Sequence, residues 1–268
     1  MEKFLLFAAL MLAAVSASHA AIQEREVTYS ANGTALKGYI AYDDAIKGKR
    51  PGILVVHEWW GHNDYARRRA YMLAVNGYTA LAVDMYGDGK QAHHPDDADK
   101  FSKDVYQNAA LGRARFNAAL KLIKKEKTVN AAKIAAIGYC FGGSVVLDMA
   151  RAGLPLKAVA SFHGGLGTGQ PAKQGKVKAR IISFTGEDDP MIPAVQVEAF
   201  RDEMKKAGVY YKVVTYPGAT HAFTNPAADE LGKKFNLPLA YNATADKASW
   251  DDGLAFIADA FKAKHKAK

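Results

Sequence analysis

Between Gly52 and Phe261 the chain alternates short, continuous apolar runs with stretches whose apolar residues recur at helical spacing. Gly52–Val56, Tyr78–Val83, Lys133–Ile137, Leu156–Phe162, Val177–Thr185 and Val209–Tyr216 read as strands. A strand with no polar alternation has to be covered on both faces, as in a parallel sheet flanked by helices. Between the runs, Ala66, Ala70 and Leu73 mark one helical face, and Val105, Ala109, Gly112, Phe116, Leu120 and Ile123 keep the period over about five turns. Ser144–Arg151, the set Val197, Phe200 and Met204, and the set Trp250, Leu254, Ile257 and Phe261 predict three more helices. Nearer the start, Glu24–Ser30 and Ala35–Tyr42 flank Asn32-Gly33, a hairpin signal. Strand–helix alternation with short loops predicts an α/β fold, a mostly parallel sheet with helices on both faces. Gly164–Lys178 reads as a surface loop, and no repeat or linker divides residues 21–268, which are expected to form one domain.

Of the 268 residues, 49% are hydrophobic and 24% charged, the composition of a folded globular chain. Lys+Arg is 36 against Asp+Glu of 27, a formal charge of +9. Such a surplus raises nucleic acid, a membrane surface or an acidic substrate as partners. Lys262, Lys264, Lys266 and Lys268 crowd the tail, and Lys121, Lys124, Lys125 and Lys127 one short stretch, so scattered solvated lysine is the simpler account. No aromatic–basic interleaving accompanies the charge, and no nucleic-acid partner is expected. The single cysteine rules out an internal disulfide or a CxxC motif. Lys3, the apolar run Phe4–Val15 and the small-x-Ala pattern Ser18-His19-Ala20 predict a secretory signal peptide over residues 1–20. That run is too short for a membrane span, which takes about 20 apolar residues. A mature chain from Ala21, in the bacterial periplasm or exterior and without a membrane segment, is the expectation.

In open α/β sheets ligands bind beyond the carboxyl ends of the strands. There lies Gly138-Tyr139-Cys140-Phe141-Gly142-Gly143, the small-x-nucleophile-x-small pattern of a nucleophile elbow with cysteine in the serine position. The start of a helix favours a thiolate, although a small buried hydrophobe is the usual fate of a free cysteine. Gly186-Glu187-Asp188-Asp189-Pro190 follows the next-to-last strand and supplies an acid, Asp189 just before the proline, with Asp188 as the adjacent alternative. His221 follows the last strand, so nucleophile, acid and base come in α/β-hydrolase order. Val55-Val56-His57-Glu58-Trp59-Trp60-Gly61 ends an early strand, and that loop supplies one oxyanion-hole N–H in this fold, the residue after the nucleophile the other. Trp59 and Phe141 are thereby the main-chain donors, and Trp60 and His163 are candidates to line the pocket. Glu58, a carboxylate where a buried strand meets a cleft, has to be functional or paired. His57, His62, His93, His94 and His163 show no HxH or HxxxH spacing, and neither a metal nor another cofactor is expected.

With the cysteine elbow, Glu58, Asp189 and His221, the sequence resembles the dienelactone hydrolase family over essentially all of residues 21–268. The resemblance implies an α/β-hydrolase fold and a Cys–His–Asp triad acting on a small ester or lactone. Cys140 would attack the carbonyl, His221 serve as base and Asp189 orient it, through an acyl-enzyme intermediate. It further implies that Glu58 contacts the resting thiol and moves aside when substrate binds. The family's carboxylate-binding arginines are missing here. Asp84-Met85-Tyr86-Gly87-Asp88 occupies one place and Asn225 the other, with Lys90 a nearby cation. The rival reading is a non-catalytic binding or scaffold protein on the same fold. The oligomeric state is left open by the sequence.

Overall fold

The computed structural model describes residues 22–263. The expected signal peptide and the tail lysines Lys264, Lys266 and Lys268 lie outside them. Eight strands appear among the described residues: β1 (Ile22–Ala31), β2 (Thr34–Asp43), β3 (Arg50–Val56), β4 (Thr79–Val83), β5 (Val129–Tyr139), β6 (Ala158–Phe162), β7 (Arg180–Gly186) and β8 (Tyr211–Tyr216). They form one sheet in the order β1-β2-β4-β3-β5-β6-β7-β8. The β1–β2 and β2–β4 pairs are antiparallel and every later pair is parallel. Asn32 and Gly33 both take positive φ, 50° and 81°, as the tight turn of the first hairpin requires.

Among the described residues seven helices accompany the sheet: α1 (Asp64–Val75), α2 (Pro95–Gln107), α3 (Ala109–Lys125), α4 (Phe141–Arg151), α5 (Ala194–Lys206), α6 (Ala228–Phe235) and α7 (Ala243–Lys262). The period of two along each strand sorts the core into two layers. Ile53 and Val55 of β3 join Ile137 and Phe184 under Leu73 of α1 and Phe256 and Ile257 of α7. Leu54 and Val56 point the other way, to Phe116 and Leu120 of α3, Val146 of α4 and Phe200 of α5. Each such large side chain, fully buried, contributes about 1.5–3 kcal/mol. None of the described helices is long and apolar enough to cross a membrane.

Two expectations are corrected. The apolar period running from Val105 to Ile123 is not one helix, because α2 stops at Gln107 and α3 starts at Ala109. Asn108 breaks it: with φ −121° and ψ 79° it leaves the helical region, and its side chain accepts a hydrogen bond from Leu111 N at 3.0 Å, capping α3. Helix α6 is an addition: Ala228, Leu231 and Phe235 recur at helical spacing there, over only eight residues. Strand boundaries are shorter than expected at β6, β7 and β8, whose first residues are Ala158, Arg180 and Tyr211.

Candidate active site

Strand β5 ends at Tyr139, the chain turns at Cys140, and α4 begins at Phe141. So sharp a turn brings helix backbone onto strand backbone. A Cβ on Gly138 would stand 2.1 Å from Gly142 O, and one on Gly142 would stand 2.3 Å from Val56 O. Cys140 itself has φ 51° and ψ −117°, a conformation costing about 1–3 kcal/mol in a non-glycine residue. Its neighbours hold it there. Cys140 N donates to Phe162 O at 2.9 Å and to His163 Nδ1 at 3.1 Å, and Cys140 O accepts from Gly143 N at 2.9 Å.

The loop after β8 brings His221 over the elbow. His221 Nε2 lies 3.2 Å from Cys140 Sγ, and Nδ1 lies 2.8 Å from Asp189 Oδ2. Asp189 is buried and its other oxygen accepts from Met191 N at 2.8 Å, while Asp188 is exposed. The choice between the two acids therefore falls on Asp189. Burial pushes the His221 pKa down, but the Cys140 sulfur and the Asp189 carboxylate outweigh it and raise it to about 10. The imidazole thus keeps a proton readily when it faces the sulfur.

Among the described residues, neither Trp59 N–H nor Phe141 N–H has a protein acceptor. The surrounding groups fix the loop that carries the first of them. His57 Nδ1–H donates to Glu58 O at 2.5 Å, and Nε2 accepts from Met85 N at 3.2 Å, which sets the tautomer. The His57 ring stacks on Phe141 with centroids 5.6 Å apart. Tyr86 Oη–H donates to Trp59 O at 2.9 Å. The sequence offered no sign of these supporting roles for His57 and Tyr86, since each depends on a partner distant in the chain.

The profile described as Dienelactone hydrolase family matches residues 36–261. This chain belongs to the dienelactone hydrolase family. Protein usf of Aquifex pyrophilus is 31% identical over 225 residues, covering 81% of this chain and 94% of its own length. A relative from Synechocystis, named provisionally as a carboxymethylenebutenolidase, is 30% identical over 239 residues, 84% of this chain and 92% of its own. A solved structure, a dienelactone hydrolase-like promiscuous phosphotriesterase from metagenomic libraries, is 35% identical with a TM-score of 0.82 and covers 89% of this chain and 98% of its own. The sheet and its helices are those of an α/β-hydrolase, and the chain is an ester and lactone hydrolase by family.

Within this hydrolase, Glu58 makes no hydrogen bond to the thiol, contrary to what the resemblance implies. The sulfur faces His221, and Glu58 Oε2 instead accepts from Asn225 Nδ2 at 2.6 Å. The reason is local: Asn225 sits four residues past His221 and is short enough to face the carboxylate at the end of β3. Glu58 is 2% exposed, and burial raises its pKa from 4.5 to about 7, against the opposing pull of Asn225 and His221. From about pH 4.5 to about pH 7 the unfolded chain has released this proton while the folded one keeps it. Stability therefore falls across that window and stays lowered above it. Glu58→Gln keeps the shape without the charge. It is expected to raise the melting temperature at pH 8, by about 3 kcal/mol of stability at most, and to leave it nearly unchanged at pH 4. Equal shifts at both pH values would contradict the buried, late-titrating carboxyl.

Two pocket-lining expectations are corrected as well. His163 is fully buried beneath the elbow, not in the cleft. Its Nδ1 accepts from Cys140 N, and Nε2–H donates to Thr224 Oγ1 at 2.7 Å. Burial and the nearby His221 charge keep its pKa well below the ordinary value, so it stays neutral in that one tautomer. Trp60 is 6% exposed and packs against Trp59, Phe235, Ala92 and Ala98, which leaves little of its ring for a ligand. Thr224 is in turn bonded to Tyr65 Oη at 2.6 Å, and its carbonyl accepts from Arg69 Nη2 at 2.6 Å. Arg69 is buried between the rings of Tyr65, Tyr139 and Trp250, and Asp246 of α7 balances its charge at 2.6 Å.

Asp84, fully buried, accepts from the backbone N–H groups of Lys37, Tyr86, Gly87 and Gly89. The Asp84–Asp88 segment is thus a turn organised around a carboxylate, and Lys90 beyond it is exposed. Among the described residues, no three His, Cys, Asp or Glu side chains are grouped to hold a metal ion.

Proposed function

We propose that this hydrolase cleaves its ester or lactone through Cys140 as nucleophile and an acyl-cysteine intermediate. The observation that carries the reading is the line Cys140 Sγ–His221–Asp189, at 3.2 and 2.8 Å, lying at the carboxyl ends of β5, β7 and β8. The thiol proton passes to His221 Nε2, and the sulfur attacks the carbonyl carbon. Asp189 holds the imidazole by Nδ1 and stabilises its positive charge. The oxygen that gains the negative charge is received by the N–H groups of Trp59 and Phe141, each worth about 2.7–4 kcal/mol in comparable sites. Collapse expels the alcohol, which takes the proton from His221. Water then gives a proton to the same nitrogen and attacks the thioester, releasing the acid and the thiol.

Brief incubation with p-nitrophenyl acetate, quenching in acid and peptide mass analysis test this reading. One acetyl group is expected on the peptide carrying Cys140, and none on the corresponding peptide of His221→Ala. Sustained turnover with no adduct, or an adduct on another side chain, would remove Cys140 as the nucleophile.

A further inference from the structure

A cavity of about 670 Å³ opens along the face of α4 that looks away from the sheet's centre, between that helix, the α2–α3 junction and the Thr168–Lys176 loop. Its volume is in the range of small-molecule sites. Val145 and Met149 of α4 floor it, both nearly buried. On α4 its lining begins at Val145, five residues after Cys140. Tyr106, 47% exposed, lines the cavity, and its ring stands 5.1 Å from that of Phe141, the residue next to Cys140. From Val145 to Ala152 the lining follows the helix for about 10 Å at 1.5 Å per residue.

The charges in the lining are unequal. Arg113, Arg151, Lys173 and Lys176 face one acid, Asp148. Arg151 is already engaged with Asp148 at 3.0 Å and Glu203 at 2.8 Å, and Asp148 also accepts from Thr168 Oγ1 at 3.0 Å. Arg113, Lys173 and Lys176 have no ion-pair partner among the described residues. Three uncompensated cations around an apolar floor, with one end at Tyr106 beside the elbow, suit a chain that is apolar in the middle and negative at its far end.

We propose that this cavity binds the far carboxylate of an ester whose reacting carbonyl lies at Cys140. The proposal rests on the cysteine-hydrolase reading for its orientation, but its ion site can be tested apart from catalysis. Mono-p-nitrophenyl suberate and p-nitrophenyl octanoate match in length and differ in the terminal carboxylate. At low salt the suberate ester is expected to show a KM about tenfold below that of the octanoate, an advantage that added salt removes. Arg113→Ala/Lys173→Ala/Lys176→Ala is expected to raise the KM of the suberate ester about tenfold and leave kcat, and both constants for the octanoate, within about twofold. Equal KM values in the parent protein, or equal shifts for both esters, would overturn the proposal. Suberate itself is titrated calorimetrically into Cys140→Ala: saturable binding that the triple variant loses supports the site, and no binding in the parent overturns it. Suberate binding without cleavage of either ester would instead count against the nucleophile assignment and leave the site standing.

Discussion

Cys140→Ala is expected to lower kcat/KM for p-nitrophenyl acetate by about 10⁴-fold or more, because no other group stands where the sulfur stands. His221 Nε2 would face a methyl group in place of Sγ at 3.2 Å, so proton transfer and attack are both lost. What is left is substrate binding and the backbone donors, which set a low residual rate. The fold is expected to be unaffected, since alanine occupies less space and the backbone bonds from Cys140 to Phe162 and Gly143 remain. Circular dichroism and thermal melting beside the rate assay check both halves. Activity near that of the parent protein would transfer the chemistry to another residue.

Gly142→Ala is expected to damage the fold itself. The added Cβ would meet Val56 O at 2.3 Å and His57 O at 2.6 Å, both backbone atoms at the end of β3. That strand is hydrogen-bonded on either side, to β4 and β5, so it cannot retreat without breaking the sheet. Helix α4 must lift instead, opening the packing of Val146 and Leu147 and carrying the Phe141 N–H away from Trp59. A loss above about 4 kcal/mol follows, a size reserved for a few mechanisms of which a forced backbone clash is one. For a chain of this length it corresponds to a fall of about 8–16 °C in melting temperature. Gly175→Ala is the comparison. Its φ is 71° but nothing lies within 4 Å of the new Cβ, so it is expected to cost about 1–2 kcal/mol of conformational strain alone. If the two variants melted together, the close approach of α4 to β3 would not be what requires glycine.

The parts legible in the sequence are those governed by local pattern. Gly52–Val56 and Tyr78–Val83 announced a covered sheet because β3 and β4 are buried on both faces, and Asn32-Gly33 announced a turn that needs positive φ. Cys140, Asp189 and His221 were legible because each follows a strand, and the ends of parallel strands meet in one place. Local pattern failed where long-range partners decide. The period from Val105 to Ala109 runs straight through Asn108, yet the cap formed by that side chain ends one helix and begins another. His163, which follows a strand, was a candidate to line the pocket. Its actual position depends on Thr224, 61 residues away. Glu58 and Asn225 were each noticed, but nothing in either segment says that residues 167 apart share a hydrogen bond.

The buried guanidinium of Arg69 joins parts of the chain that are made at different times. It ties α1 to the carbonyl of Thr224 in the histidine loop and to Asp246 in the final helix. Thr224 in turn holds His163 under the elbow. A ribosome making this chain therefore delivers Cys140 long before Thr224 and Asp246, the residues that brace its surroundings. Until then Arg69 lacks its counter-charge and the strained turn at Cys140 lacks its lower support. The growing polypeptide accordingly carries an unfinished centre until α7 has been made.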